Sequence, residues 1–174
     1  MSRRPGHSVI VVPVPELDAV VRDRTARYDD SYVSTDPAFV HAHITLLGPW
    51  LDEPTARDLE TVERVLASEP AFDVRLATLG EFPDGILHLR PEPAAPLARM
   101  TSRLAEAFPQ TPPYEGRYPE VVPHLTLDHR ATGASVEGLG AELDLPVTTR
   151  VDRVDLQWWA NDDCRVLRTW RWGR

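Results

Sequence analysis

Lysine is absent from this chain: all 19 basic residues are arginine, and they stand against 27 acidic ones for a formal net charge of −8. An acidic chain is a poor partner for the backbone of a long nucleic acid, where cationic groups supply most of the affinity. That balance still leaves room for a local pocket around one small phosphate. Cysteine is nearly absent too. Cys164 stands alone, which excludes an intramolecular disulfide and a cysteine-based zinc site and points to a reducing compartment. No apolar run approaches the roughly 18 residues of a membrane-spanning helix. The short run over residues 8–14 imitates a signal peptide, but it contains Pro13 and lacks a small-residue cleavage site, so it reads as a first strand. No Gly-rich nucleotide loop and no Gly-x-Ser-x-Gly element occurs, so neither ATP use nor serine-hydrolase chemistry is supported. These absences describe a soluble, cytoplasmic protein with no membrane partner.

What is present fits a single domain over residues 1–174, with 42% hydrophobic and 26% charged residues. Proline and glycine divide it into alternating strand-like and helix-like segments. A β-branched run over 9–14 predicts a buried strand. Residues 15–29 place Leu17, Val20, Val21 and Tyr28 near one helical face, and 40–47 predict a strand stopped by Gly48-Pro49. A helix opens near Pro54 with Leu59, Val62, Val65 and Leu66 as its apolar stripe. Strands over 72–79 and 86–89 join across Pro83-Asp84-Gly85. Leu97, Met100, Leu104 and Phe108 mark the clearest helical period, and such a stripe reads as core. A Pro-, Gly- and Tyr-rich loop over 109–119 precedes a strand over 121–127. A Gly-containing helix over 135–143 follows, and then a hairpin pairing 148–159 with 165–172. The order predicts an α+β fold with mixed sheets and outer helices.

One internal echo carries more than this outline. His43-Ile44-Thr45-Leu46 returns as His124-Leu125-Thr126-Leu127. Six His and 13 Thr in 174 positions give roughly 0.45 chance His-x-Thr matches, and requiring Ile or Leu between and Leu after lowers that to roughly 0.006. On a strand, alternate side chains share a face, so His43 projects with Thr45 and His124 with Thr126, while Ile44, Leu46, Leu125 and Leu127 anchor the opposite face. Brought together, two imidazoles and two hydroxyls suit in-line displacement at phosphorus. One imidazole takes a proton from the attacking oxygen, the other protonates the leaving oxygen, and the hydroxyls donate to the nonbridging oxygens.

At these residues the chain resembles the 2H phosphoesterase superfamily, named for two His-x-Thr or His-x-Ser motifs. Residues 42–50 (Ala-His-Ile-Thr-Leu-Leu-Gly-Pro-Trp), 91–96 (Pro-Glu-Pro-Ala-Ala-Pro) and 121–127 (Val-Val-Pro-His-Leu-Thr-Leu) look like its bacterial branch, the 2′-5′ RNA ligase family proteins. The resemblance spans nearly the whole chain. It implies a bilobal α+β fold of two pseudo-symmetric lobes, built from mixed or antiparallel sheet with outer helices around a central cleft. It also implies action on 2′,3′-cyclic phosphates or 2′-5′ phosphodiesters without metal or other cofactor. His43 and His124 carry over as the catalytic pair, with His124 as base and His43 as acid for hydrolysis, although pseudo-symmetry permits the reverse. Thr45 and Thr126 carry over as phosphate-binding hydroxyls. The implied partner is a small nucleotide or an RNA end, acted on by a monomer. A noncatalytic nucleotide- or RNA-end-binding protein and a reversible 2′-5′ RNA ligase are the alternatives. Relatives often carry an aromatic where Gly48 stands, with Trp50 nearby to compensate. Many carry a basic residue where His129 stands, followed here by Arg130.

Other candidates surround this pair. His41-x-His43 with His124 could imitate a three-histidine metal site, but no acidic residue accompanies them, and a cleft-rim or hydrogen-bonded His41 is the better reading. His88 points either outward or into the cleft, and His7 reads as a solvated terminus. Tyr114, Arg117 and Tyr118 form a candidate cleft lip, with Tyr118 and Arg130 as additional substrate contacts. Trp158, Trp159, Trp170 and Trp172 read as packing in the closing hairpin.

Overall fold

The computed structural model describes residues 6–118 and 120–172, so Pro119 at the end of the expected 109–119 loop lies outside the described residues. β1 (His7–Pro13) is the predicted β-branched run, buried throughout except at His7. After a tight turn comes α1 (Asp18–Asp29), which buries only Val21. Its low amphipathicity has a structural reason: much of its inward side borders a cavity rather than core. Tyr28, expected on the apolar face, is 80% exposed. β2 (His43–Leu47) carries the first motif. α2 (Ala56–Ala67) starts from a reciprocal cap in which Asp58 N–H donates to Thr55 Oγ1 and Thr55 N–H donates to Asp58, satisfying two free amides at once.

β3 (Phe72–Glu81) and β4 (Ile86–Glu92) form the predicted hairpin. Gly85 is required in its turn, because φ is +98° and a Cβ there would lie 2.8 Å from His129 Cε1. α3 (Ala95–Ala107) buries Leu97, Met100 and Leu104, and Phe108 follows it into the core. β5 (Leu125–His129) carries the second motif, then come α4 (Val136–Glu142), β6 (Val147–Val151), β7 (Arg153–Trp159) and β8 (Arg165–Arg171).

The eight strands among the described residues join one antiparallel sheet in the order β6-β3-β4-β5-β2-β1-β7-β8. The order divides at its centre into two groups of four, each ending inward on a motif strand. β2 and β5 meet through Ile44 opposite Leu125. Ile44, Leu46, Leu125 and Leu127 are buried, with α3 packed against β2 and α1 beside β5. Among the described residues no helix is long and apolar enough to cross a membrane.

Two expectations are corrected. The run 148–159 is two strands, not one: β6 pairs with β3 at one edge of the sheet, while β7 lies between β1 and β8 near the other. The alternation slips phase between them, from Val147 and Val151 on odd positions to Val154, Leu156 and Trp158 on even ones, and the break falls at that slip. Residues 40–42 and 121–124 are not strand. Their backbone groups serve side chains instead, since the His41 and Val122 carbonyls accept from the rings of His43 and His124.

Candidate active site

The two motif strands place His43, Thr45 and Thr126 on the face opposite the buried leucines, where they line a cavity of about 560 Å³. His124 lies one residue before β5 on the same alternation. The two imidazoles are held alike. His43 Nδ1–H donates to the His41 carbonyl at 2.7 Å, and His124 Nδ1–H donates to the Val122 carbonyl, also at 2.7 Å. A carbonyl can only accept, so each bond fixes the proton on Nδ1 and leaves Nε2 as the nitrogen available for proton transfer.

Different neighbours surround the two rings. His43 lies 5.7 Å from the Trp159 ring. His124 meets Phe82 edge-on at 4.9 Å and His88 at 5.6 Å, and the Tyr114 ring lies nearly parallel to it at 6.5 Å. Burial pushes His43 down to about 4; the nearby charges of His124 and His41 act in the same direction, and the bond to the His41 carbonyl opposes them. Burial also lowers His124, opposed by the Val122 carbonyl and by Asp84. Both imidazoles are therefore neutral at pH 7 in the empty cleft. The phenol of Tyr114 is held above its ordinary value, mainly by burial, and shares a hydrogen bond with Thr45.

Several sequence readings meet different fates. His41 is fully buried at the back of the cavity wall: its Nε2 accepts from Ser34 N–H at 3.1 Å, and its own amide donates to Asp18 at 2.6 Å. That is the hydrogen-bonded alternative, and through its carbonyl His41 supports the ring of His43. Among the described residues no three His, Cys, Asp or Glu side chains are grouped to hold a metal ion. His88 points inward, fully buried and stacked on Phe82 at 3.8 Å. His7 is exposed, as the solvated reading has it, but it is the first residue of β1, opposite Trp159, and both line the cavity.

Tyr118 and Arg130 do not line the cavity. Tyr118 is half-exposed with its hydroxyl 3.4 Å from Asp84, and Arg130 donates to the Pro83 carbonyl and faces Glu81 at 3.8 Å. Their neighbours reach it instead. Tyr114 arrives through a backbone turn with φ +51°, its N–H donating to the Gly48 carbonyl at 2.8 Å. His129 borders the cavity with Nε2–H donating to the Asp84 carbonyl at 2.8 Å. Trp50 packs into the core 5.1 Å from Phe108, so it does not replace an aromatic at Gly48.

The sequence offered no sign of Arg24. It lies on α1 and binds Asp128 and Glu142 across the wall of the cavity. Among the described lining residues it is the one guanidinium, and both carboxylates already engage it. From sequence Trp159 reads as packing, and only its pairing opposite His7 reveals its place beside His43.

Residues 13–163 match the family model of the 2′-5′ RNA ligase superfamily. No curated protein matches the chain. Among solved structures, Escherichia coli LigT complexed with 3′-AMP is 18% identical with a TM-score of 0.59, over 98% of this chain and 100% of that one. LigT in apo form is 18% identical at a TM-score of 0.58, over 99% and 100%. TT0787 of Thermus thermophilus is 20% identical at a TM-score of 0.53, over 95% and 97%. At these identities the likeness speaks for the fold.

Proposed function

The chain belongs to the 2′-5′ RNA ligase superfamily, and on that premise we propose that it is a metal-independent phosphodiesterase acting on 2′,3′-cyclic phosphates or 2′-5′-linked nucleotides and RNA ends. The observation that supports this reading is the matched anchoring of His43 and His124: each Nδ1–H is tied to the carbonyl two residues before it, which leaves each Nε2 for proton transfer, while His43, Thr45 and Thr126 line one cavity and His124 precedes Thr126 on the same strand alternation. LigT has been crystallised with 3′-AMP, with ATP and with NADP+, which supports a small nucleotide as the ligand class here.

For a cyclic phosphate the steps balance as follows. His124 Nε2 takes a proton from water as its oxygen bonds to phosphorus, and the ring P–O bond opposite breaks. His43 gives its Nε2 proton to the departing ribose oxygen, leaving a phosphomonoester beside a free hydroxyl. Thr45 and Thr126 donate to the nonbridging oxygens, where charge accumulates. The depressed basicity of His43 suits its role, because such an imidazole, once charged, is a strong acid. Among the described lining residues the one guanidinium, Arg24, is already engaged by carboxylates, so the bound phosphate itself supplies the negative charge that holds a proton on His43.

The test is turnover of 2′,3′-cyclic nucleotides in the presence of a chelator. The reading requires activity that survives chelation and disappears in the His43→Ala/His124→Ala double variant. Loss on chelation with recovery on adding zinc contradicts the metal-independent mechanism. Tight nucleotide binding without turnover of any cyclic or 2′-5′ substrate makes the protein a binding module, and formation of a 2′-5′ linkage makes it a ligase.

A further inference from the structure

The cleft does not end at the motif strands. Past a wall formed by Arg24, Tyr28 and Asp128, which border both spaces, lies a second cavity of about 500 Å³ reached by Arg27, Thr132 and Glu142. The two spaces share these three residues, and Asp128 lies two positions after Thr126 on β5, across a register shift opposite Leu87 and His88.

The chemistry of the second space narrows its occupant. Arg24 gives its terminal nitrogens to Asp128 and Glu142, and Arg27 is paired with Asp23 at 2.5 Å. Arg24, the guanidinium shared by both spaces, is thus neutralised, and the two carboxylates beside it disfavour a second phosphate. What the space offers is hydrogen-bonding groups around an aromatic ring, Tyr28, that is 80% exposed at the junction. A flat, neutral, polar group attached to the reacting phosphate matches that combination, since any nucleobase can stack on an aromatic face.

We propose that this compartment is a subsite for the nucleoside on the far side of the scissile phosphate, with Tyr28 as its stacking platform. Of the two substrate classes in the proposed function, it selects a 2′-5′-linked dinucleotide or a chain end over a cyclic mononucleotide. The inference takes the position of the phosphate from the proposed function and adds a specificity to it.

The test is the affinity of a 2′-5′-linked dinucleoside phosphorothioate and of a 2′-mononucleotide, measured calorimetrically on wild type, Tyr28→Ala and Tyr28→Phe, alongside turnover of a 2′,3′-cyclic mononucleotide and of a 2′-5′-linked dinucleotide. Wild type should prefer the dinucleoside. Tyr28→Ala should lose about five-fold or more of that preference, and Tyr28→Phe should retain it. No preference in wild type, or equal weakening of both ligands in Tyr28→Ala, overturns the subsite. Cyclic phosphate turnover without the preference removes the subsite alone. The preference without turnover of either linkage keeps the subsite and removes the hydrolase.

Discussion

An anionic ligand should charge His43, and the size of the effect follows from its surroundings. In the empty cleft His43 is held at about 4. At pH 6 about one molecule in a hundred then carries its proton, and at pH 7 about one in a thousand. A phosphate monoester bound against the imidazole places opposite charge within reach and raises the pKa by roughly 1–3. At pH 6 the protonated share should then rise to between about one in ten and nine in ten. By linkage, phosphate affinity falls as pH rises through the raised value, because binding takes up a proton. The chain has six histidines, so the Cε1–H resonances can be followed individually by NMR, with and without 3′-AMP, and assigned through a His43→Asn variant. A His43 that titrates near its ordinary 6.5 in the empty cleft refutes the electrostatic reasoning. So does a titration that saturating ligand leaves in place.

Single replacement of His43 or His124 by alanine should lower kcat by roughly 10²–10⁴-fold, and the double variant should be little worse than either, as for groups that act together; steady-state kinetics on a cyclic nucleotide checks both. Thr45→Val and Thr126→Val should each cost roughly 10–100-fold in kcat/KM through a lost hydrogen bond to charge, measured in the same assay. Burial lowers His7, His41, His43, His88 and His124 together. Their contribution to stability is therefore complete above pH 6.5 and lost as pH falls toward 4, so the urea midpoint should drop across that window; a flat midpoint would contradict it. Arg24→Ala leaves Asp128 without its half-buried cation and should cost roughly 1–3 kcal/mol in urea unfolding, whereas replacing the exposed Arg27 by alanine should cost almost nothing.

The parts of the site that could be read from sequence are those set by local geometry. A strand repeats every two residues, so His43 with Thr45 and His124 with Thr126 declare a shared face without knowledge of the fold. Their duplication anticipated the sheet order, in which the two motif strands are the central neighbours. The missed parts depend on distant pairings. Arg24 and Asp128 are 104 residues apart, and nothing near either announces the other. Trp159 looks like packing until β7 is known to place it opposite His7. In the 109–119 loop the choice between Tyr114 and Tyr118 turns on positive φ angles at Tyr114 and Glu115, a conformation those residue types do not signal. Arg130 was an apt residue in an apt position, but the glycine turn beneath it directs the side chain to Pro83 and Glu81.

The pH dependence of kcat/KM for a 2′,3′-cyclic nucleotide, measured in chelator on wild type and on each single histidine variant, tests the paired-imidazole account most directly. Both groups lie below their ordinary values in the free enzyme, so wild type should give a bell with its optimum on the acid side of pH 6.5. His124→Ala should lose the limb on which the base must be neutral, and His43→Ala the limb on which the acid must be charged. A wild-type profile without a bell, or variants that keep both limbs, would contradict the claim that these two residues move the protons.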